Sequence, residues 1–175
     1  MLSQLLERKH HERVAAQKSE GKPEGYYIDC FQQPRVQKGY VIMRGDHKMP
    51  TNSVVWNREL IKLHQLPAQE DNESITGHML LQSVKGKQPL NACVIDCVTN
   101  LNRQFLIFDD WKSRHEDASI KRYFCFGTVY TDVHGRKFVR NFSYIPAGVS
   151  GMWVNSPYCL DFPMKRNFYA LCYKG

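Results

Sequence analysis

The sequence has no apolar run approaching the roughly 20 residues that a helix needs to cross a bilayer, so we expect no transmembrane helix. Residues 1–14 also lack the continuous apolar segment of a secretory signal, because charged and polar side chains interrupt them. Without an export signal, we expect a cytoplasmic protein, or a nuclear one in a eukaryotic cell.

Recognisable catalytic and cofactor-binding motifs are also missing. The chain contains no Walker loop, no dinucleotide-binding Gly-x-Gly-x-x-Gly and no Gly-x-Ser-x-Gly nucleophile elbow. It has no Cys-x-x-Cys pair, so no cysteines have the usual ligand spacing of a structural zinc site. We therefore expect neither a cofactor nor a metal, and we rank an enzyme of unknown class below two noncatalytic functions.

The six cysteines lie mostly in apolar segments of strand-like composition. With this chain length and no export signal, we expect reduced, buried thiols rather than disulfides. Cys93 and Cys97 fall on a predicted strand, where their Cα atoms would lie roughly 13 Å apart. That separation excludes a shared zinc ion if the strand is regular.

Positive charge is in excess. Twenty-four Lys and Arg residues against 17 Asp and Glu give a formal net charge of +7, with a pI near 9.1. Such a balance favours an anionic partner, and nucleic acid is the commonest one. The alternative is that the charge serves only solubility.

The strongest structural signal is a β-hairpin within residues 122–146. Two segments rich in aromatic and β-branched residues, 123–131 and 137–145, flank a three-residue loop that ends in Gly135. This loop places Asp132 opposite Arg136 and so sets the register. Counting outward, the predicted cross-strand pairs are Tyr130–Phe138, Thr128–Arg140, Phe126–Phe142 and Phe124–Tyr144.

The remaining sequence predicts a single β-rich domain over residues 26–175, preceded by a basic amphipathic helix over residues 1–18. A further helix is expected over residues 54–66, where Pro67 limits its end. Other strands are expected over residues 26–31, 39–43, 75–84, 91–98, 105–108 and 168–173, with a glycine-bounded loop over residues 148–157.

This succession of elements favours an α+β fold. We expect a predominantly antiparallel, curved sheet with the N-terminal helix and one further helix packed on it. Alternating side chains predict that one side of the sheet faces a core. The alternative is a small OB-like barrel of five or six strands.

The aromatic and basic side chains of the hairpin are typical of proteins that bind single-stranded nucleic acid, where bases stack on rings and cations contact phosphates. The favoured function is therefore a noncatalytic nucleic-acid-binding module. The alternative for the aromatic face is the hydrophobic core. The predicted phosphate contacts are Arg122, Arg136, Lys137, Arg140, Lys165 and Arg166, and the predicted stacking residues are Phe142 and Tyr144.

A second hypothesis is an adaptor or assembly module that docks on a protein partner through its N-terminal helix or its sheet. The amphipathic helix has an apolar side that a partner would cover, and Trp153 is a large aromatic in a predicted loop. The predicted partner-binding residues are Leu2, Leu5, Leu6 and Trp153.

Overall fold

A computed structural model describes residues 26–48, 53–71, 73–99, 120–147 and 150–174. The predicted N-terminal helix and the predicted strand over residues 105–108 lie outside these ranges. Within them, none of the helices has the length and apolar character of a membrane span. The strands are β1 (Tyr26–Asp29), β2 (Tyr40–Val41), β3 (Ser53–Trp56), β4 (Ile61–His64), β5 (Ile75–Thr76), β6 (Arg122–Asp132), β7 (Lys137–Ala147), β8 (Ser150–Cys159), β9 (Pro163–Met164) and β10 (Phe168–Tyr173). The helices are α1 (Pro67–Glu70), α2 (Gly77–Ser83) and α3 (Ala92–Val98), with a 3-10 turn at Arg58–Leu60.

Among the described residues, the central sheet has six strands. Five follow the order β4-β10-β6-β7-β8, and β2 pairs with a separate stretch of β6. Apart from the parallel β10–β6 pair, its ladders are antiparallel, so the predicted antiparallel sheet is confirmed. The alternative of a closed barrel is wrong, because the two edge strands β4 and β8 do not pair with each other.

The β6–β7 hairpin keeps the predicted turn but not the predicted register along its whole length. Next to the turn, Tyr130 pairs with Phe138 as expected, and Gly135 has a φ of 79°, a conformation that glycine adopts without strain. Farther along, the register shifts, and Tyr123 pairs with Phe142 and Cys125 with Arg140. The three predicted pairs beyond the shift are therefore wrong: Thr128–Arg140, Phe126–Phe142 and Phe124–Tyr144.

The register shifts because residues 127–129 of β6 bond to other parts of the chain. The N–H of Gly127 donates to the carbonyl of Leu90 (2.8 Å), and the Gly127 carbonyl accepts from Lys48 (2.7 Å). A Cβ at position 127 would lie 2.7 Å from the carbonyl oxygen of Pro89. Glycine thus permits a close backbone approach that an alternation pattern does not reveal.

Both faces of the central sheet are buried, whereas alternation predicted one. Alternation along β6 places Phe124 and Phe126 on the face opposite Tyr123 and Cys125, and the register shift brings Phe142 to the Tyr123 face. One face packs against β1, β3 and α3 through a cluster that includes Ile28, Val54, Trp56, Val94, Ile95, Tyr123, Phe142, Trp153 and Leu171. The other packs against α2 and the small β5–β9 sheet through a cluster that includes Ile75, Leu80, Phe124, Phe126, Val139, Leu160, Met164 and Phe168.

The secondary structure between residues 53 and 99 differs most from the prediction. The helix expected over residues 54–66 is wrong, because β3, the 3-10 turn and β4 occupy that stretch. Pro67 begins α1 instead of ending a helix, a position where its missing N–H costs nothing. The strand expected over residues 75–84 is mostly α2, which is capped by the Thr76 side chain.

The strand expected over residues 91–98 is the helix α3. The Asn91 side chain caps it by accepting from the N–H of Cys93 (3.2 Å). Five of its seven residues are buried, so the segment lacks the polar face that marks an amphipathic helix. The loop expected over residues 148–157 is also wrong, because β8 occupies residues 150–159.

Candidate nucleic-acid interface

Residues 120–175 contain three pairs of adjacent basic residues, and two of them, Lys121–Arg122 and Lys165–Arg166, lie at one end of the sheet. Arg122 begins β6 and is the register partner of Phe168 at the start of β10. Its N–H donates to the carbonyl of Asn167 (3.0 Å). Lys121 and Arg122 therefore lie beside Lys165 and Arg166, which precede β10 in the chain.

The third pair, Arg136 and Lys137, lies at the opposite end of the hairpin. The 11 residues of β6 separate the two ends by roughly 30 Å at the usual rise per residue. Arg136 pairs with Asp132 (2.8 Å) and Lys137 with Asp46 (2.9 Å). The structure thus does not bring the three pairs together, and two of the predicted phosphate contacts are already engaged by carboxylates.

Arg140, a further predicted phosphate contact, is only 5% exposed. Its Nη1 lies 2.6 Å from Asp96 Oδ1, and its Nη2 donates to Asn155 Oδ1 (3.1 Å). A buried guanidinium in an ion pair is unavailable to a phosphate, so its position does not support the predicted role.

The predicted stacking residues are packed against other rings. Phe142 is fully buried, with its ring centroid 5.4 Å from that of Tyr123 and 5.5 Å from that of Trp153. Tyr144 is half-buried and also contacts the Trp153 ring. Trp153 itself is 4% exposed, which leaves little surface for a partner. The other predicted partner-binding residues, Leu2, Leu5 and Leu6, lie outside the described residues.

An open groove of about 750 Å³ lies where the two basic pairs meet, and we call it the basic groove. Its volume falls within the roughly 300–1,000 Å³ range of ligand sites. Its cations are Lys121, Lys165 and Arg166, and Glu73 contributes a carboxylate. The other lining residues are Gln69, Ser74, Pro163, Met164, Asn167 and Tyr169.

Tyr169 provides the groove with an aromatic ring. The ring is stacked on that of Tyr123, with centroids 5.9 Å apart and planes at 25°. Burial raises the pKa of Tyr169, opposed by Arg166, so the hydroxyl stays neutral near pH 7. The half-buried ring therefore has a fixed orientation and a polar edge.

Two glutamines hold the turn that carries Lys165 and Arg166. Buried Gln69 donates from Nε2 to the carbonyls of Lys165 (3.0 Å) and Phe168 (3.1 Å). Gln65 donates to the carbonyls of Arg166 and Phe168. Because these bonds fix the backbone, the two cations project from a defined turn rather than from a loose loop.

The net positive charge of the chain is concentrated in its C-terminal third, which contains the cations of the basic groove. Residues 120–175 contain eight Lys and Arg against two Asp and Glu, whereas residues 1–119 contain sixteen against fifteen. The first group thus carries +6 of the +7 net charge. Arg136, Lys137 and Arg140 are paired with carboxylates, and Arg122 lies over the rings of Tyr158 (5.9 Å) and Phe168 (5.3 Å). Three other cations of this group, Lys121, Lys165 and Arg166, line the basic groove.

In the part of the chain that the structure describes, the thiols and metal-ligating side chains form no second candidate site. Burial raises the pKa of Cys30 to about 11 and that of Cys93 to about 12, so both are neutral thiols and poor nucleophiles. All six cysteines are free, and all but Cys97 are buried. Cys93 and Cys97 lie on a helix rather than a strand, yet no group of three or more metal-ligating side chains occurs in the described ranges.

Sequence reasoning identified Lys165 and Arg166 but missed Tyr169. The sequence signal for Tyr169 was its position in the last predicted strand, four residues after Lys165, which places a ring beside two cations.

Comparisons with protein-family models, with curated proteins and with solved structures find no match for this chain.

Proposed function

We propose that the protein is a noncatalytic module that binds single-stranded nucleic acid in the basic groove. The observation that carries the proposal is the convergence of Lys121, Lys165 and Arg166 beside the Tyr169 ring. Cations in a groove attract the phosphate backbone, and an adjacent aromatic ring stacks an unpaired base. The interface then lies where β6 and β10 begin, rather than on the hairpin face.

A single strand suits this groove better than a duplex. A duplex keeps its bases stacked on each other, so the Tyr169 ring would have no base face to contact. A single strand exposes base faces, and stacking on an aromatic contributes about 1–3 kcal/mol per base. The combination of backbone charge and one ring predicts weak dependence on base sequence, because every base has such a face.

Fluorescence polarisation tests the proposal directly. Labelled single-stranded DNA, single-stranded RNA and duplex DNA are titrated with the folded full-length protein at low salt. We expect both single strands to bind more tightly than the duplex, with little dependence on sequence. If the protein bound none of the three probes, the proposal would be refuted, and the positive charge would be left as a solubility feature.

The variant for this experiment is Lys165→Gln/Arg166→Gln, which removes two charges from the exposed side of the turn. Arg136→Gln/Lys137→Gln is the matched control, because it removes the same charge at the far end of the hairpin. We expect the first variant to weaken binding at least tenfold and the second to change it by less than twofold. Equal losses would indicate a diffuse charge effect rather than binding in the groove.

A further inference from the structure

The turn formed by Lys165, Arg166, Asn167 and Phe168 directs its carbonyls toward the protein. The Lys165 carbonyl accepts from the N–H of Phe168 (3.0 Å) and from Gln69 Nε2 (3.0 Å). The Arg166 carbonyl accepts from Gln65 Nε2. The Lys165 and Arg166 carbonyls are thus engaged by glutamines, and the Lys165 carbonyl also closes the turn.

The N–H groups of the same peptides point the other way. None of the described peptide bonds is cis, and in a trans peptide the N–H lies opposite the carbonyl. The N–H groups of Arg166 and Asn167 therefore point away from Gln65 and Gln69. Neither has a hydrogen-bond acceptor within the described part of the chain.

Two successive backbone N–H groups in a turn form a concave anion-binding arrangement. Here the same turn carries the Lys165 and Arg166 side chains, and Lys121 lines the groove beside it. Neither Lys165 nor Arg166 takes part in an ion pair in the described ranges. The turn thus carries two backbone N–H groups and two side-chain cations at the edge of the groove.

We propose that this turn is a phosphate subsite. The N–H groups of Arg166 and Asn167 donate to oxygens of one phosphate group, and the neighbouring cations neutralise the charge of that phosphate. The inference rests on the proposed function, because the phosphate belongs to the bound strand. It adds that one position along the strand is held by backbone hydrogen bonds. The ligand chemistry is a phosphate monoester or diester.

The first test uses the full-length protein labelled with ¹⁵N and inorganic phosphate as the probe. Hydrogen bonding to phosphate shifts an amide proton downfield, so the amides of Arg166 and Asn167 are expected to move on titration. The amide of Gly135, in the exposed hairpin turn, serves as an internal control and is expected to stay in place. Unmoved Arg166 and Asn167 amides would overturn the inference, even if an oligonucleotide binds.

The second test separates the N–H from the side-chain charge. Arg166→Ala removes the guanidinium, whereas Arg166→Pro removes the guanidinium and the N–H. Arg166 is the second residue of the turn, a position where proline is pre-organised, so the turn is expected to persist. We expect Arg166→Pro to bind a single-stranded oligonucleotide about tenfold more weakly than Arg166→Ala, since hydrogen bonds to charged groups are the stronger ones.

Circular dichroism and the thermal midpoint check that both variants are folded. The phosphate titration of the wild-type protein does not depend on either variant. Equal affinities of two folded variants would contradict a role for the N–H. If no oligonucleotide binds but phosphate moves the two amides, the proposed function fails and the subsite stands. With the amides shifted, tighter binding of a 5′-phosphorylated than of a 5′-hydroxyl oligonucleotide identifies a terminal phosphate, and equal binding identifies a backbone diester.

Discussion

Arg140 Nη1 and Asp96 Oδ1 lie 2.6 Å apart in the interior, and this pair joins the central sheet to α3. The other Asp96 oxygen accepts from the N–H of Arg35 (2.7 Å), so the same carboxylate also holds the segment between β1 and β2. Asn155 of β8 contacts Arg140 and donates to the Thr99 hydroxyl after α3 (3.2 Å). Four parts of the chain thus meet at one buried ion pair.

Breaking this pair is expected to destabilise the fold strongly. Asp96→Asn keeps the shape of the side chain but leaves the Arg140 guanidinium buried without a counter-charge. The expected loss is about 3–5 kcal/mol in the free energy of unfolding, measured by urea denaturation. Asp132→Asn, which weakens the pair with the solvent-exposed Arg136 side chain, is the control and is expected to cost much less. Similar losses in the two variants would contradict a buried, structural role for Arg140.

Gly127→Ala tests the close approach that shifts the hairpin register. The added methyl would lie 2.7 Å from the Pro89 carbonyl oxygen and 2.9 Å from the Asn91 nitrogen, so the backbone must move. Overpacking of this kind costs typically about 1–3 kcal/mol. Gly135→Asn is the control, because asparagine tolerates the positive φ of that turn. A Gly127→Ala protein as stable as the wild type in urea would show that β6 does not need glycine there.

Tyr169 is expected to contribute to binding through its ring rather than its hydroxyl. Tyr169→Leu should lower the affinity for single-stranded DNA by roughly tenfold, within the range of about 1–3 kcal/mol for one stacked base. Tyr169→Phe keeps the ring and should bind within about twofold of the wild type. Fluorescence polarisation at constant salt measures both affinities. If Tyr169→Phe lost as much affinity as Tyr169→Leu, the result would indicate a role for the hydroxyl and would contradict stacking.

Histidine burial predicts a loss of stability at mildly acidic pH. Burial lowers the pKa of His47, whose Nδ1 contacts the Thr128 hydroxyl at 2.8 Å. Burial and the neighbouring Lys87 and Lys62 lower the pKa of His64. Both groups bind protons more readily in the unfolded chain, so the free energy of unfolding is fully retained above the unfolded pKa of about 6.5 and falls as the pH drops below it.

Urea denaturation at pH 7.5, 6.5 and 5.5 measures this dependence. The free energy of unfolding of His47→Gln is expected to fall less steeply with decreasing pH than that of the wild type. That of the His47→Gln/His64→Gln protein is expected to fall less steeply again. Parallel curves for all three proteins would show that the acid sensitivity arises elsewhere.

The fold was predictable where local chemistry alone decides the structure. The turn at Gly135, the Tyr130–Phe138 pair and the last strand follow from residue types within a few positions of each other. The rest depends on distant contacts. Gly127 shifts the register only because the backbone of residues 89–91 crosses β6, and α3 is hidden in the sequence because most of its side chains are buried.

The candidate site was predictable only in part, for the same reason. Lys165 and Arg166 stand out as adjacent cations, and their neighbours Lys121 and Arg122 do as well. Their convergence depends on the parallel β10–β6 pairing, which no local pattern encodes. The sequence predicts Arg140 as a phosphate contact on the aromatic face, and only the shifted register and α3 bring Asp96 to it.

The salt dependence of binding tests the central claim most directly. The slope of log affinity against log salt concentration measures how many phosphates the protein neutralises. For a single strand, its magnitude is about 0.7 for each phosphate contact. We predict that Lys165→Gln/Arg166→Gln reduces this slope by roughly 1–1.5, while Arg136→Gln/Lys137→Gln leaves it unchanged. A slope that is unaffected by the groove variant, or lowered equally by both variants, would contradict binding of the strand in the basic groove.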